Sequence, residues 1–287
     1  MTPKLRIAAI TDEFSPKLGE ALNCMEEIGM KGAELRVLWD KNIMDLSADE
    51  LARAKDLLDR NRMEVISIAS PILKCVLPNA PEIDSRFQHD IFAAKHSFAD
   101  QPRLLDRAFD LADYFGASII RVFSYWRTVQ PQQCFGAIVD ALGELAEKAA
   151  RRAKIIGLEN EHACNVATAS EAKAVLEQVR HPNLKLVWDP ANCLCAGESP
   201  FPYGFELLPK DRIVHVHAKD CHMEGHTPIW GPLGTRSIDW KGQIAALMAG
   251  GYAGWLSLET HWTGPGGNNK MEASRICGWN LRGLASL

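Results

Sequence analysis

Four short apolar runs in the second half of the chain each end in a side chain that can bind a metal. The four end residues are Glu159, Asp189, His217 and Glu259, and they close the runs 155–159, 184–189, 213–217 and 255–259. Runs of this length, rich in Val, Ile and Leu, are typical of strands buried on both faces. A buried acid or imidazole is costly without a partner, so we expect these residues at strand exits. Three carboxylates and one imidazole brought together there would repel one another unless a cation held them, which predicts a bivalent metal site.

Some neighbouring residues leave simpler interpretations open. His215 and His217 are two residues apart and therefore share a strand face. We expect His217, nearer the exit, to be the ligand and His215 to lie one layer deeper, although either could be a core histidine. Glu161 is predicted to be an exposed loop acid. Asp189 precedes a proline, a pair that commonly begins a turn.

The predicted ligand set also indicates a chemistry. Three oxygens and one nitrogen suit Mn²⁺, our preferred ion, and also Mg²⁺ or Co²⁺, with Zn²⁺ possible. A metal bound to the carbonyl and hydroxyl of a hydroxy-ketone polarises the carbonyl and acidifies the neighbouring C–H. Glu159 and Glu259 would then be the catalytic acid and base. Epimerisation, aldose–ketose isomerisation and β-elimination of water all start from the resulting enediolate.

Polar residues near other strand exits are candidate substrate contacts. They are Glu34, Arg36, His162, Asn192, Lys219 and Arg236. Aromatic residues that could stack on a sugar ring are Trp39, Tyr125, Trp126 and Trp262. The alternative for the charged residues is a solvated surface position, and the alternative for the aromatic residues is ordinary core packing.

Alternating strand and helix patterns place these residues in a fold. Strands are predicted at 5–10, 32–38, 64–69 and 118–123, before the four runs above. Ser47 and Glu50 form a capping box for one helix, and Ser170 is predicted to cap another. Strict alternation implies parallel strands with helices outside the sheet. Eight units of this size predict a single-domain α/β protein, a (β/α)8 TIM barrel over residues 1–287. An open doubly wound sheet is disfavoured because no Gly-x-Gly-x-x-Gly follows the first strand.

Composition limits the classes of partner. The chain has 287 residues, is 47% hydrophobic and has a formal net charge of -4. That charge gives no reason to expect a nucleic-acid partner. No apolar window approaches the roughly 18 residues that span a bilayer, and the N-terminus does not resemble a signal peptide. Eight cysteines without a Cys-x-x-Cys pair indicate a reducing cytoplasm. Apolar side chains at 201–205 could mark a face for a homo-oligomer.

Five motifs together resemble one known superfamily. They are Gly-Ala-Glu-Leu-Arg at 32–36, Gly-Leu-Glu-Asn at 157–160, Asp-Pro-Ala-Asn at 189–192, His-Val-His-Ala-Lys-Asp at 215–220 and Leu-Ser-Leu-Glu at 256–259. The chain resembles the xylose isomerase-like TIM barrel superfamily of sugar phosphate isomerases and epimerases, which includes ketose 3-epimerases, inosose dehydratase and endonuclease IV. The resemblance implies that positions matching Glu159, Asp189, His217 and Glu259 bind the metal, with the two glutamates as acid and base. Asn192 departs from some ketose epimerases, which have a substrate-binding His there.

We therefore expect a metal-dependent isomerase or epimerase acting on a small-molecule sugar or keto-sugar. A dehydratase of a keto-sugar or keto-cyclitol is the nearest alternative, and a non-catalytic sugar-binding homologue is another. An abasic-site endonuclease is a third alternative. The resemblance implies that such an enzyme would have a trinuclear zinc site with extra histidines on the third and fourth strands. The exits at 69–71 and 123–125 read Ala-Ser-Pro and Phe-Ser-Tyr and contain no histidine.

Overall fold

The computed structural model describes residues 5–87 and 96–286. Its main strands are β1 (Arg6–Ile10), β2 (Gly32–Leu35), β3 (Glu64–Ile72), β4 (Ile119–Val122), β5 (Ile155–Glu159), β6 (Leu184–Trp188), β7 (Ile213–Ala218) and β8 (Trp255–Leu258). The helices are α1 (Leu18–Ile28), α2 (Ala48–Arg60), α3 (Gln101–Phe115), α4 (Phe135–Arg151), α5 (Ala169–Gln178), α6 (Pro190–Cys195), α7 (Phe205–Leu207), α8 (Trp240–Ala249) and α9 (Lys270–Leu284). No helix within these residues has the length and apolar character needed to cross a membrane.

These eight strands close into a barrel. Each strand pairs in parallel with its neighbours, and β8 pairs with β1 to complete the ring. The strands are connected through helices, and connections of this kind between parallel strands are right-handed as a rule. The predicted (β/α)8 barrel is therefore confirmed. All eight strand exits consequently lie at one end of the barrel.

Helix starts show how local sequence sets the fold. Ser47 and Glu50 form the predicted capping box at the start of α2, with the Glu50 carboxylate accepting from Ser47 N at 2.8 Å. The prediction for α5 is wrong: Thr168, not Ser170, is its N-cap, and Thr168 forms the capping box with Glu171. The Ser170 hydroxyl instead donates to Glu198.

Three stretches differ from the sequence prediction. The strand predicted at 32–38 ends at Leu35, and Val37–Leu38 pairs instead with Lys41–Asn42 in a separate antiparallel ribbon. The strand β3 continues to Ile72, three residues beyond the predicted end.

Between β7 and α8 the chain forms an antiparallel hairpin of Cys221–Glu224 and Thr227–Trp230, which was not predicted. Its strands have four residues each and mix polar with apolar side chains, so they lack the apolar run by which the barrel strands were recognised. The hairpin matters because Trp230 faces the cavity described below.

The interior of the barrel is closed at the end opposite the strand exits. Ala8, Ile66 and Trp255 form a separate apolar cluster there. Gly32 makes this packing possible, because a Cβ at that position would lie 2.8 Å from the Ala8 Cβ and 2.9 Å from the Trp255 ring. With this end filled by side chains, polar groups inside the barrel are reached from the strand exits.

Candidate active site

Four buried side chains converge at the strand exits. Glu159 is the last residue of β5, Asp189 and Glu259 directly follow β6 and β8, and His217 lies near the end of β7. Each offers one ligand atom, and these atoms all lie within 4.8 Å of one another. The structure therefore brings the four predicted metal-ligating residues together. Gly157 lies two residues before Glu159 on β5, and no larger residue fits there. A Cβ at this position would lie only 2.8 Å from the Val187 side chain.

Two carboxylate oxygens of this cluster make ion pairs but no regular hydrogen bond. Glu159 Oε2 and Asp189 Oδ2 are buried without a hydrogen bond. Arg121 Nη1 lies 3.2 Å from the first and Lys219 Nζ 2.9 Å from the second, so each oxygen has a cationic partner. Buried oxygens that make no regular hydrogen bond are uncommon and need an explanation. A divalent cation fits the site, because it would bind such oxygens together with the His217 imidazole.

Asp189 has a second, structural role. Its Oδ1 accepts from Asn192 N at 2.8 Å, so the carboxylate caps the short helix α6, and Pro190 occupies the first helical turn. This explains the Asp-Pro pair: it begins a helix and does not form a simple turn. Capping uses one oxygen and fixes the side chain, which leaves Oδ2 directed at the cluster.

A second group of ligand-type residues lies beneath His217. Glu34 Oε1 is 2.8 Å from His215 Nε2 and 3.2 Å from His217 Nε2, and all three residues are fully buried. His215 thus lies one layer deeper, as its spacing predicts. Because the Nε2 of His217 faces Glu34, its Nδ1 points towards the other two glutamates. This nitrogen lies 3.2 Å from Glu159 Oε1 and 3.3 Å from Glu259 Oε2. A carboxylate behind a ligating histidine typically fixes its orientation.

Cationic side chains balance part of the negative charge. Lys219 Nζ lies 2.9 Å from Asp189 Oδ2 and 3.0 Å from Glu259 Oε2. Arg36 Nη1 lies 3.1 Å from Glu259 Oε1, but Arg36 also pairs with Asp12 and Glu13. Its charge is therefore shared among three acids, and only part of it acts on the cluster.

The pKa values of the cluster report the same balance. Burial would lower the pKa of His217, but Glu159, Glu34 and Glu259 outweigh it and hold that pKa well above its usual value. Burial raises the pKa of Asp189 to about 6, against the opposing effect of Lys219. The site thus attracts positive charge, whether a proton or a metal ion.

A cavity of about 550 Å³ adjoins the cluster, because Glu259 forms part of its wall. Its volume is within the roughly 300–1,000 Å³ typical of small-molecule sites. Among the described residues its charged wall residues are Arg36, Lys74, Arg86, Arg121, Lys270, Glu161 and Glu259. The aromatic wall residues are Phe87, Phe123 and Trp230. The wall therefore offers charged groups that can bind oxygens next to aromatic faces.

The predicted substrate contacts divide into three groups. Arg36 and His162 line the cavity. Glu34, Asn192 and Lys219 are buried around the four-residue cluster, at no more than 1% exposure. Arg236 is exposed, and it is not among the described residues that line the cavity. The four aromatic residues named from the sequence are also absent from the described cavity wall, where other aromatic residues take their place.

Sequence reasoning missed several wall residues. Glu161, expected to be an exposed loop acid, is only 8% exposed and contacts Lys74 and His162. Arg121 lies inside β4, and Lys74 follows β3. Arg121 carried a signal that could have been used: an arginine inside the apolar run 119–122 needs a buried acidic partner.

The fold and the cluster together define a (β/α)8 barrel with a carboxylate–imidazole centre at its mouth. The model of the xylose isomerase-like TIM barrel family matches residues 23–279. The chain belongs to that family. No protein with a curated functional description matches it.

Several solved structures share the fold. A structure of the IolI protein with a bound zinc atom has 16% identity and a TM-score of 0.74, covering 98% of each chain. The probable 3-DHS dehydratase AsbF of Bacillus anthracis has 18% identity and a TM-score of 0.71, covering 96% of this chain and 98% of its own. D-allulose 3-epimerase from Methylomonas sp. has 20% identity and a TM-score of 0.71, covering 99% of each.

One further similar structure is a much longer protein. It is a xylose isomerase-like TIM barrel/4-hydroxyphenylpyruvate dioxygenase fusion protein, 21% identical with a TM-score of 0.68. The match covers 94% of this chain and 42% of the fusion protein. At these identities all four structures establish the shared fold alone.

Proposed function

We propose that this protein is a divalent-metal-dependent isomerase or epimerase of a sugar or keto-sugar. The observation that carries the proposal is the set of four buried residues whose ligand atoms lie within 4.8 Å of one another, beside a cavity of small-molecule size. Epimerases and a zinc-containing structure among the similar folds agree with it.

Glu159, Asp189, His217 and Glu259 would hold the metal, with Mn²⁺ preferred. The bound metal would polarise the substrate carbonyl and so acidify the neighbouring C–H. Removal and return of the proton are carried out by the protein's own side chains.

Glu259 is the proposed base. Burial would raise its pKa, but Lys219, His217 and Arg36 hold the pKa well below its usual value, so the carboxylate is ionised. It lines the cavity and can therefore accept the α-proton of a substrate bound there. Glu159 is the proposed partner that returns a proton, to the same or the opposite face, after the enediolate has formed.

Four of the predicted substrate contacts fit this arrangement. Arg36 and His162 can bind substrate oxygens directly, because both line the cavity. Asn192 donates from Nδ2 to Glu159 Oε1 at 3.3 Å, and Lys219 contacts Glu259. We propose that the latter two orient the catalytic glutamates.

The proposal is tested by α-proton exchange. Protein reconstituted with Mn²⁺ is incubated in D₂O with D-fructose, D-tagatose, D-sorbose and 2-keto-myo-inositol, and the substrate C–H signals are followed by NMR. The proposal requires exchange with at least one probe and its loss in Glu259→Gln. A protein that binds a probe without any exchange would be a sugar-binding homologue.

A further inference from the structure

The ammonium group of Lys219 already contacts two of the four predicted metal ligands. Its Nζ lies 2.9 Å from Asp189 Oδ2 and 3.0 Å from Glu259 Oε2. The lysine side chain is only 1% exposed, so its charge is balanced by these carboxylates and not by bulk water. A metal bound by the same oxygens would be a second cation in the same place.

The backbone on both sides of this contact is fixed. Trp240 Nε1 donates to the carbonyl oxygen of Lys219 at 3.1 Å. The carboxylate of the next residue, Asp220, accepts from three backbone N–H groups in the segment 234–238. The side chain is therefore the part of Lys219 that can change its contacts, and such a change needs no rearrangement of the barrel.

A displaced ammonium would keep a partner close by. The centre of the Trp230 ring lies 5.9 Å from Lys219 Nζ, within the roughly 6 Å over which an aromatic face attracts a cation. Trp230 is part of the cavity wall, so this partner lies on the cavity side of the cluster. An ammonium that leaves Asp189 would therefore not become an unpaired buried charge.

Two cations at one buried oxygen repel each other strongly. We propose that Lys219 is an internal competitor of the metal: its ammonium holds Asp189 Oδ2 in the metal-free protein and leaves this oxygen when a divalent cation binds. The inference rests on the metal site of the proposed function. Lys219 would thereby lower the affinity of the site for every cation and select ions that carry enough charge to displace an ammonium.

The same contact supports the metal-free fold. Without a metal the cluster holds three buried carboxylates, and Lys219 and His217 provide cationic or N–H groups between them. Leaving a buried charge without its partner is strongly destabilising. Removal of the lysine charge is therefore expected to change two quantities in opposite directions, because it destabilises the metal-free protein and strengthens metal binding.

Lys219→Met tests both effects, because methionine keeps an unbranched side chain and removes the charge. Lys219→Gln is the second variant, which removes the charge but keeps a hydrogen-bond donor. Mn²⁺ binding is measured by titration, with the free ion followed by electron paramagnetic resonance, and stability is measured by urea unfolding of the chelated protein. Lys173→Met, which removes the lysine of an exposed ion pair with Glu177 on α5, is the matched control.

We expect both Lys219 variants to bind Mn²⁺ at least about tenfold more tightly than wild type. A charge at this distance typically changes the affinity of a group for a proton by about 10–1,000-fold, and a metal ion carries more charge. The chelated variants should unfold at lower urea concentration than chelated wild type, and saturating Mn²⁺ should remove most of that difference. Lys173→Met should match wild type in both measurements.

Unchanged or weaker Mn²⁺ binding in the Lys219 variants would overturn the inference, because Lys219 would then only support the carboxylates. If wild type binds Mn²⁺ in that experiment, the proposed function stands. Failure of wild type and both variants to bind Mn²⁺ would contradict the proposed function, and the inference would fall with it. If neither variant folds, crystal structures of wild type with and without Mn²⁺ decide the matter: the contact between Lys219 Nζ and Asp189 Oδ2 must be lost when the ion is bound, and a retained contact overturns the inference.

Discussion

The two halves of the barrel mouth differ in charge. The exits of β5, β6 and β8 carry acids of the cluster, whereas the half formed by β2, β3 and β4 carries Arg36, Lys74 and Arg121. The cations of the second half contact acids of the first that follow the adjacent strand or the next strand but one in the ring. Arg36 contacts Glu259 at 3.1 Å, Arg121 contacts Glu159 at 3.2 Å, and Lys74 contacts Glu161 at 3.5 Å.

This difference indicates a division of labour. Each of the two cluster glutamates is held between a cation of the opposite half and His217 of its own half. The acidic half is therefore expected to bind metal and move protons, and the basic half to fix the acids and stabilise their ionised form. The predictions below test each half separately, in order of expected effect.

The largest effect is expected from removing one acid of the cluster. Glu259→Gln should lower α-proton exchange by about 10²–10⁴-fold, because the amide cannot accept the proton. Urea unfolding should show that the fold is retained. Glu26→Gln, at an exposed position on α1, is the matched control and should match wild type. Near-normal exchange in Glu259→Gln would refute the assignment of this residue.

In the basic half, Arg36→Met is expected to lower stability more than any exposed arginine would. Arg36 pairs with Asp12, Glu13 and Glu259, and its loss leaves these buried carboxylates without that cation. Removing one partner of a buried ion pair typically costs about 3–5 kcal/mol of unfolding free energy. Urea unfolding measures it, with Arg60→Met on the surface of α2 as the control, expected within about 0.5 kcal/mol of wild type. Equal effects of the two substitutions would remove the structural role assigned to the basic half.

Glu34→Gln should weaken the metal site without removing a ligand. The carboxylate contacts the nitrogen of His217 that faces away from Glu159 and Glu259. Loss of such a supporting group typically lowers metal affinity by about 10–100-fold. Titration with Mn²⁺ measures the change, and Glu64→Gln, at the opposite end of the barrel, should have no effect. An unchanged affinity in Glu34→Gln would show that His217 is held by its other neighbours.

Acidification should weaken metal binding through Asp189. Its pKa is raised to about 6, so below that pH a metal must displace a proton. The affinity for Mn²⁺ should fall at least about tenfold from pH 7 to pH 5. In the metal-free protein the protonated Asp189 carboxyl contributes to the free energy of unfolding at low pH. This contribution is lost as the pH rises through about 6. Stabilisation by Mn²⁺, followed by thermal unfolding, should therefore grow over the same interval. A flat profile between pH 5 and pH 7 would contradict this account.

The acidic half could be predicted from the sequence and much of the basic half could not. Glu159 and Glu259 end apolar runs, so strand pattern alone placed them at one end of the barrel. Lys74 and Arg121 matter through contacts with acids 87 and 38 positions further along the chain. Such pairings depend on the order of the strands in the ring and on which side chains point into the barrel mouth, and periodicity does not encode these contacts. Glu161 was assigned to the surface for the same reason, because its partner Lys74 lies after another strand.

The most direct test of the account is elemental analysis of the purified protein, counted per chain before and after chelation. We predict about one Mn, Mg, Co or Zn per chain, lost in His217→Ala and restored to the chelated wild type by Mn²⁺. Three zinc ions per chain would favour the endonuclease class. A protein that contains no metal and fails to bind added Mn²⁺ would contradict the central claim. The charge of the four predicted metal ligands would then be balanced by Arg36, Arg121 and Lys219 without a metal.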